Sequence, residues 1–224
     1  MRAFCDCLAN RSIWLTAFLF LAAAVASAQS KPVLQTIFRD SNSNLISNNE
    51  FVDIRMANFH YPDATVVKTL EDGTIEFRLQ KIPQEGMKAP EFKLRTIGGK
   101  ALSLESLHGK VVVLNFWFIG CGACRAQKPR LNELRTKFAN SDDVIFLAVT
   151  ADDAGAVKKY LAREPFDYLQ AADAERELDR FRFSGYPKNI VIAGTGEIVY
   201  WRSTITAWDK FESVIRGELE KASK

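Results

Sequence analysis

Hydrophobic positions follow two different rhythms along the chain, and the rhythm changes near residue 85. Between the leader and that point, apolar residues come in short stretches interrupted by polar ones. Phe51-Val52-Asp53-Ile54-Arg55-Met56 alternates apolar and polar, which predicts a half-buried strand. Residues 65–70 and 74–82 flank Glu71-Asp72-Gly73, and an Asp-Gly pair between two such runs predicts a hairpin, because Gly accepts the positive φ that the turn requires. Asn42, Asn44, Asn48 and Asn49 mark loops. Residues 29–84 therefore read as a β-rich extension without a catalytic constellation. His60, beside Tyr61-Pro62, reads as a surface or turn residue rather than a ligand. A segment this short is marginal for a core of its own, so it should pack on the next domain or on a partner.

Pro83-Gln84-Glu85-Gly86 reads as a linker, and beyond it apolar residues cluster into runs. Residues 92–97 form a short predicted strand and Gly98-Gly99 a turn. Leu102-Ser103-Leu104-Glu105-Ser106-Leu107 predicts a short helix ended by His108-Gly109. Val111-Val112-Val113-Leu114-Asn115-Phe116-Trp117 is nearly continuous, as in a central strand covered on both faces. A helix should follow from Gly122, with Leu131, Leu134 and Phe138 on one face. Residues 144–149 predict a second buried strand, and residues 154–161 and 175–181 predict helices. Residues 189–193 and 198–201 predict strands joined by Gly194-Thr195-Gly196. A last helix carries Trp208, Phe211, Ile215 and Leu219. Alternating strands and helices closed by a hairpin imply an α/β architecture around a mixed sheet over residues 87–224.

The first 28 residues carry a different signal. Arg2 and Arg11 precede an uncharged stretch, residues 13–25 are strongly apolar, and Ala26-Ser27-Ala28 offers small residues for cleavage. This is the pattern of a secretory signal peptide cut after Ala28. The apolar core is shorter than the roughly 20 residues of a spanning helix, so an uncleaved anchor facing the periplasm is the alternative. The predicted location is the periplasm. Composition narrows the function classes. The 224 residues carry a net charge of +3, and losing Arg2, Arg11 and Asp6 with the leader lowers it to +2. That balance gives no reason to expect nucleic acid as a partner. Four cysteines are too sparse for a disulfide scaffold. Cys5 and Cys7 leave with the leader, so Cys121 and Cys124 remain to work in a disulfide-permissive compartment.

Cys121-Gly122-Ala123-Cys124 stands between a buried strand and a helix. Two intervening residues on a first helical turn bring the sulfurs within bonding reach. The first sulfur then lies at the helix N-terminus, where free N–H groups and the dipole favour an anion. Arg125, Lys128 and Arg130 would add positive potential. Cys124, one turn in, should be the more buried thiol. A zinc site lacks two ligands, because there is no second cysteine pair and no paired histidines, so no metal is expected. An inert bridge across so short a loop would restrict the unfolded chain little.

The segment from Asn115 to Pro129, Asn-Phe-Trp-Phe-Ile-Gly-Cys-Gly-Ala-Cys-Arg-Ala-Gln-Lys-Pro, resembles the active-site segment of thioredoxin-like proteins. It is most similar to the exported TlpA/ResA-like thiol-disulfide oxidoreductases. Ala89-Pro90-Glu91-Phe92, the run from Gly109 to Trp117, Pro129 and Gly185-Tyr186-Pro187 extend the resemblance over residues 87–224. The resemblance implies a thioredoxin-like fold and no cofactor beyond the redox-active Cys121–Cys124 disulfide. Cys121 would be the nucleophile and Cys124 the resolving thiol. Pro187 would be cis and would present the Tyr186 backbone to an incoming peptide, while Trp117 would pack beneath the site. Partners would be protein thiols and disulfides, with a membrane electron donor to regenerate a reductase.

Three positions depart from the family pattern. Thioredoxins proper carry Asp at the position of Asn115, although TlpA/ResA-like members commonly have Asn. Many of the latter carry Glu at the position of Gln127, so both positions here are amides, which do not titrate near neutral pH. Cys124 must nevertheless lose its proton to resolve a mixed disulfide. Asp152 and Asp153, past the second buried strand, are possible acceptors, although solvated loop residues are the simpler reading. Gly120 replaces a bulky aromatic before the first cysteine, which predicts a more open surface. Two other functions compete. A thiol peroxidase of the AhpC/TSA kind needs a Pro-x-x-x-Thr-x-x-Cys frame, absent upstream of either cysteine. A partner-binding module would use residues 29–84 for recognition and the second domain as an accessory.

Overall fold

Strand β7 (Val111–Phe116) is buried at every position, as the nearly continuous apolar run predicts. It lies at the centre of a five-stranded sheet of order β11-β10-β7-β8-β9, with β8 at Val144–Val149, β9 at Leu169–Ala171, β10 at Lys188–Ile192 and β11 at Ile198–Arg202. β7, β8 and β9 run parallel, while β10 is antiparallel to both β7 and β11. The computed structural model describes residues 35–57 and 65–222. The predicted leader with Cys5 and Cys7, and His60, lie outside the described residues. Among the described residues no helix is long and apolar enough to cross a membrane.

Alternate side chains of β7 feed two cores. Val112, Leu114 and Phe116 join Phe92, Leu178, Ile190, Ile192 and Trp201 on one face. Val111 and Val113 join Trp117, Leu131, Val191, Phe211 and Ile215 on the other. Helix α2 (Gly122–Lys137) and helix α5 (Trp208–Ala222) contribute to the second core, and helix α4 (Glu175–Arg180) contributes to the first. Helix α3 (Ala154–Leu161) occupies the predicted span. The predicted helix at 102–107 is instead strand β6 (Ala101–Ser103), paired antiparallel with β5 (Lys93–Arg95), followed by one 3-10 turn at Glu105–Leu107. Leu102 is drawn into the core as a strand residue, which overrides the weak helical spacing.

The extension forms its own sheet of order β2-β1-β4-β3, with β1 at Thr36–Arg39, β2 at Leu45–Ile46, β3 at Val66–Thr69 and β4 at Ile75–Arg78. β3 and β4 are the predicted hairpin about Gly73, whose φ is +83°. The predicted strand at 51–56 is instead part of helix α1 (Asn48–Ala57), and Asn48 and Asn49 open that helix rather than a loop. A six-residue run fits either period, and the deciding signal lies just upstream. Ser47-Asn48-Asn49-Glu50 has capping-box spacing, and the Ser47 hydroxyl accepts the Glu50 N–H at 3.1 Å. Phe51 then packs on Phe38 and Phe77 of the extension sheet, at ring-centroid distances of 4.5 and 6.0 Å.

Residues from Thr36 onward form one compact unit. The predicted linker is a pinned turn in which Glu85 accepts from Trp201 N at 3.0 Å and from Arg202 Nη1 at 2.5 Å. Asp53 is 1% exposed. Its carboxylate accepts from Thr206 N at 2.9 Å, Thr206 Oγ1 at 2.8 Å and Ala207 N at 2.9 Å, immediately before α5. It holds the backbone N–H groups that lead into a helix about 150 residues away in sequence. Asp53→Ala leaves these donors unpaired in a buried setting and should cost roughly 2–3 kcal/mol. Urea unfolding at neutral pH, with the slope unchanged and the midpoint lowered, is the expected result.

Candidate redox site

β7 ends at Phe116 and hands the chain to a four-residue loop that reaches Cys121. Cys121 is the N-cap of α2, with φ −79° and ψ 101°, and its Sγ accepts the Cys124 N–H at 3.0 Å. A sulfur thus takes the capping position usually held by a side-chain oxygen, next to the positive end of the helix dipole. The two cysteines are joined in a disulfide with Cα atoms 5.2 Å apart. Cys121 is 7% exposed and Cys124 4%, in the order the helical placement predicts. Trp117 lies in the same core as both sulfurs, with its ring 5.5 Å from Tyr160 and 6.1 Å from Phe166.

Asp152 and Asp153 have structural partners. Asp152 Oδ2 accepts Ile119 N at 2.7 Å and Thr150 Oγ1 at 2.9 Å, which straps the loop before Cys121 to the end of β8. Asp153 caps α3 by accepting Ala156 N at 2.9 Å. The positive potential expected from α2 is offset. Lys128 is buried and donates to Tyr160 OH at 2.6 Å and to Glu164 at 3.0 Å. Arg125 lies 3.8 Å from the same carboxylate, and Arg130 pairs with Glu133 at 2.7 Å. The Lys128 hydrogen bond, then that of Tyr160, holds the Glu164 pKa below its ordinary value.

The Tyr186–Pro187 peptide bond is cis. Lys188 pairs with Phe116 in the sheet register, so this bond lies at the sheet end from which the chain reaches Cys121. Tyr186 is half-buried, edge-on to Phe118 at 5.2 Å and to Phe183 at 5.0 Å. Burial, reinforced by Asp152, Asp179 and Glu175, pushes its phenol pKa up. The opening expected at Gly120 is partly filled. A Cβ there would lie 3.2 Å from Phe118 Cε2, so an aromatic two residues upstream leans over the glycine.

Asn115 and Gln127 are both buried, and a residue that the sequence pattern does not single out joins them. Asn115 Nδ2 donates to Asn189 Oδ1 at 2.8 Å. Asn189 Nδ2 donates to Gln127 Oε1 at 3.2 Å and to the Ser203 carbonyl at 2.7 Å. A carbonyl only accepts, so Ser203 fixes which end of Asn189 is the donor, and the other two amides follow. The available clue was one amide inside the apolar strand after Pro187; only the register sets it opposite Asn115.

The Redoxin family profile matches residues 84–204, more than half of the chain. The chain belongs to the Redoxin family. Residues 36–83 lie outside that match. The thioredoxin-like protein YneN of Bacillus subtilis (strain 168) is 38% identical over 68 residues, which span 30% of this chain and 40% of YneN. The thiol-disulfide oxidoreductase ResA of Bacillus anthracis is 30% identical over 118 residues, 52% of this chain and 68% of ResA. The crystal structure of a candidate thiol:disulfide interchange protein DsbE from Chlorobium tepidum superposes with a TM-score of 0.52 at 26% identity, covering 62% of this chain and 96% of that one. With the bonded Cys121–Cys124 pair, these likenesses place this Redoxin member among TlpA/ResA-like thiol-disulfide oxidoreductases of thioredoxin-like fold.

Two predictions follow from the buried polar groups of this Redoxin site. A Glu at position 127 can still accept the Asn189 N–H and adds a proton acceptor one turn from Cys124. Gln127→Glu should therefore speed thiol–disulfide exchange several-fold near neutral pH in stopped-flow measurements, and an unchanged rate would show that another group already takes the proton. Lys188 is 1% exposed, and burial pushes its pKa down from 10.5 to about 8. The folded state disfavours the charged form, so above about pH 8 and up to about pH 10.5 the unfolded chain binds more protons. Stability of the wild type should rise with pH through that window, relative to Lys188→Met, by on the order of 3 kcal/mol at most. Urea unfolding of the two proteins on either side of the window checks the sign.

Proposed function

We propose that this protein is an exported thiol-disulfide oxidoreductase that acts as a reductase of protein disulfides in the periplasm. The observation that carries the reading is the Cys121 sulfur at the N-cap of α2, bonded to Cys124 and set at the same sheet end as the Tyr186–Pro187 bond. In the dithiol form the Cys121 thiolate attacks a substrate disulfide. A mixed disulfide forms and one substrate sulfur leaves as a thiolate, to be protonated by solvent. Cys124 loses its proton and attacks Cys121 Sγ. The second substrate sulfur leaves, and the Cys121–Cys124 bridge reforms with two electrons passed to the substrate.

The helix N-terminus favours Cys121 as the nucleophile, because it stabilises the anion at the outer sulfur. The deeper burial of Cys124 suits the resolving role. Tyr186 would offer its backbone to the substrate chain beside Pro187, with Trp117 as the floor of the site, and Arg125 would contribute little charge because Glu164 opposes it. The leader pattern of residues 1–28 supports export, and a membrane electron donor would return the bridge to the dithiol. ResA carries the name of a thiol-disulfide oxidoreductase, and the likeness of residues 84–204 supports carrying that activity over.

Reduced protein should turn over insulin disulfides, and Cys121→Ser should abolish turnover while leaving the fold intact by circular dichroism. Cys124→Ser should accumulate mixed disulfides on Cys121 when expressed in a cell envelope. A dithiol form that reduces no protein disulfide would overturn the reading.

A further inference from the structure

No step of the exchange uses a side chain of residues 36–57, which lie outside the family match, yet two reciprocal charged contacts attach them one helical turn apart. Asp53 of α1 gives its carboxylate to the backbone of Thr206 and Ala207. Lys188, the residue after Pro187, gives its ammonium to the carbonyl of Ala57 at the end of α1, at 2.7 Å. The same Nζ donates to Ser203 Oγ at 2.9 Å. Burying an ammonium is expensive, and here a helix C-terminus, where carbonyls are unpaired and the dipole is negative, offsets part of that cost.

Ser203 is a junction. Its hydroxyl accepts Lys188, and its carbonyl accepts Asn189, whose amide also holds Gln127 Oε1. Gln127 has its carbonyl end taken, and its amide N–H2 group makes no hydrogen bond to another described residue. Gln127 follows Cys124 by three positions on α2, the spacing of side-chain neighbours on a helix face. A donor held there can hydrogen-bond the Cys124 sulfur once the disulfide opens.

We propose that helix α1 is a positioning element of the redox site, acting through Lys188, Ser203 and Asn189 on the amide of Gln127, three residues after Cys124 on α2. The extension thereby sets how readily the Cys121–Cys124 bridge is reduced. This deepens the oxidoreductase reading and rests on it. The path runs through buried and, at Ser203, part-buried hydrogen bonds, and coupling along it is a measurable quantity rather than a consequence of adjacency.

The test is the equilibrium of the full chain with dithiothreitol, in which the protein disulfide and the reagent dithiol exchange to protein dithiol and cyclic oxidised reagent. This small reagent needs no docked peptide. Ser203→Ala removes one hydroxyl and keeps the carbonyl that holds Asn189; Lys188→Met removes the ammonium. Each should lower the equilibrium constant for reduction threefold or more, because a less fixed Gln127 holds the sulfur of the reduced Cys124 less. In an Asn189→Leu background, Ser203→Ala should have no further effect. A merely structural role would lower thermal stability and leave the equilibrium constant in place. If Lys188→Met does not fold, Ser203→Ala decides. Wild-type equilibrium constants in the folded variants, or the same fold-change with and without Asn189, would overturn the proposal. A wild type that does not exchange with dithiothreitol at all would overturn the oxidoreductase reading beneath it.

Discussion

The pairing of β7 between β8 and β10 is the interaction from which the redox site hangs. β7 has no exposed position, so its ladder is formed on both sides and its register is set by two cores at once. Where the strand ends, four residues reach the α2 N-cap, and Asp152 secures their backbone to the end of β8. The antiparallel partner brings Pro187 to the same end, because Lys188 stands opposite Phe116. Cysteines and proline far apart in sequence therefore share a site through hydrogen-bond register.

Around that end the protein buries an unusual quantity of polar matter. Three amides, a lysine ammonium and the Asp53 carboxylate are all shielded from water, and each has a named partner. Buried polar groups cost free energy unless paired, so such a set specifies one arrangement more sharply than an apolar core would. The charged pair Lys128 and Glu164 plays the same part on the outer side of α2, and it removes the electrostatic bias that a row of basic residues would otherwise give.

Much of this is legible in the sequence. The apolar run 111–117 became β7, the Asp-Gly signal became the β3–β4 hairpin, and the cysteine spacing became a disulfide at a helix start. The misreadings have physical causes. Residues 51–56 alternate because Asp53 points inward to bond the chain entering α5, so a polar side chain occupies a buried position for a reason supplied by residues 206–207. Arg125 and Lys128 read as positive charge because the opposing Glu164 lies some 35 to 40 residues downstream. Strand β9 is three residues long and exists through its pairing with β8, too short for any period to reveal.

The sequence by itself determined the local chemistry: a thiol pair on a first helical turn after a buried strand, an amide where a carboxylate would have titrated, and a proline before a strand. These follow from residue type and short-range spacing, which a chain carries whatever its fold. Tertiary structure alone decided the orientation of Gln127, the strap from Asp152, and the union of the extension with the redox end through Asp53, Lys188 and Ser203. They depend on groups between 14 and 153 residues apart. Such contacts form because buried donors and acceptors must find partners wherever the packed sheet brings them together, and no periodicity records which ones those will be.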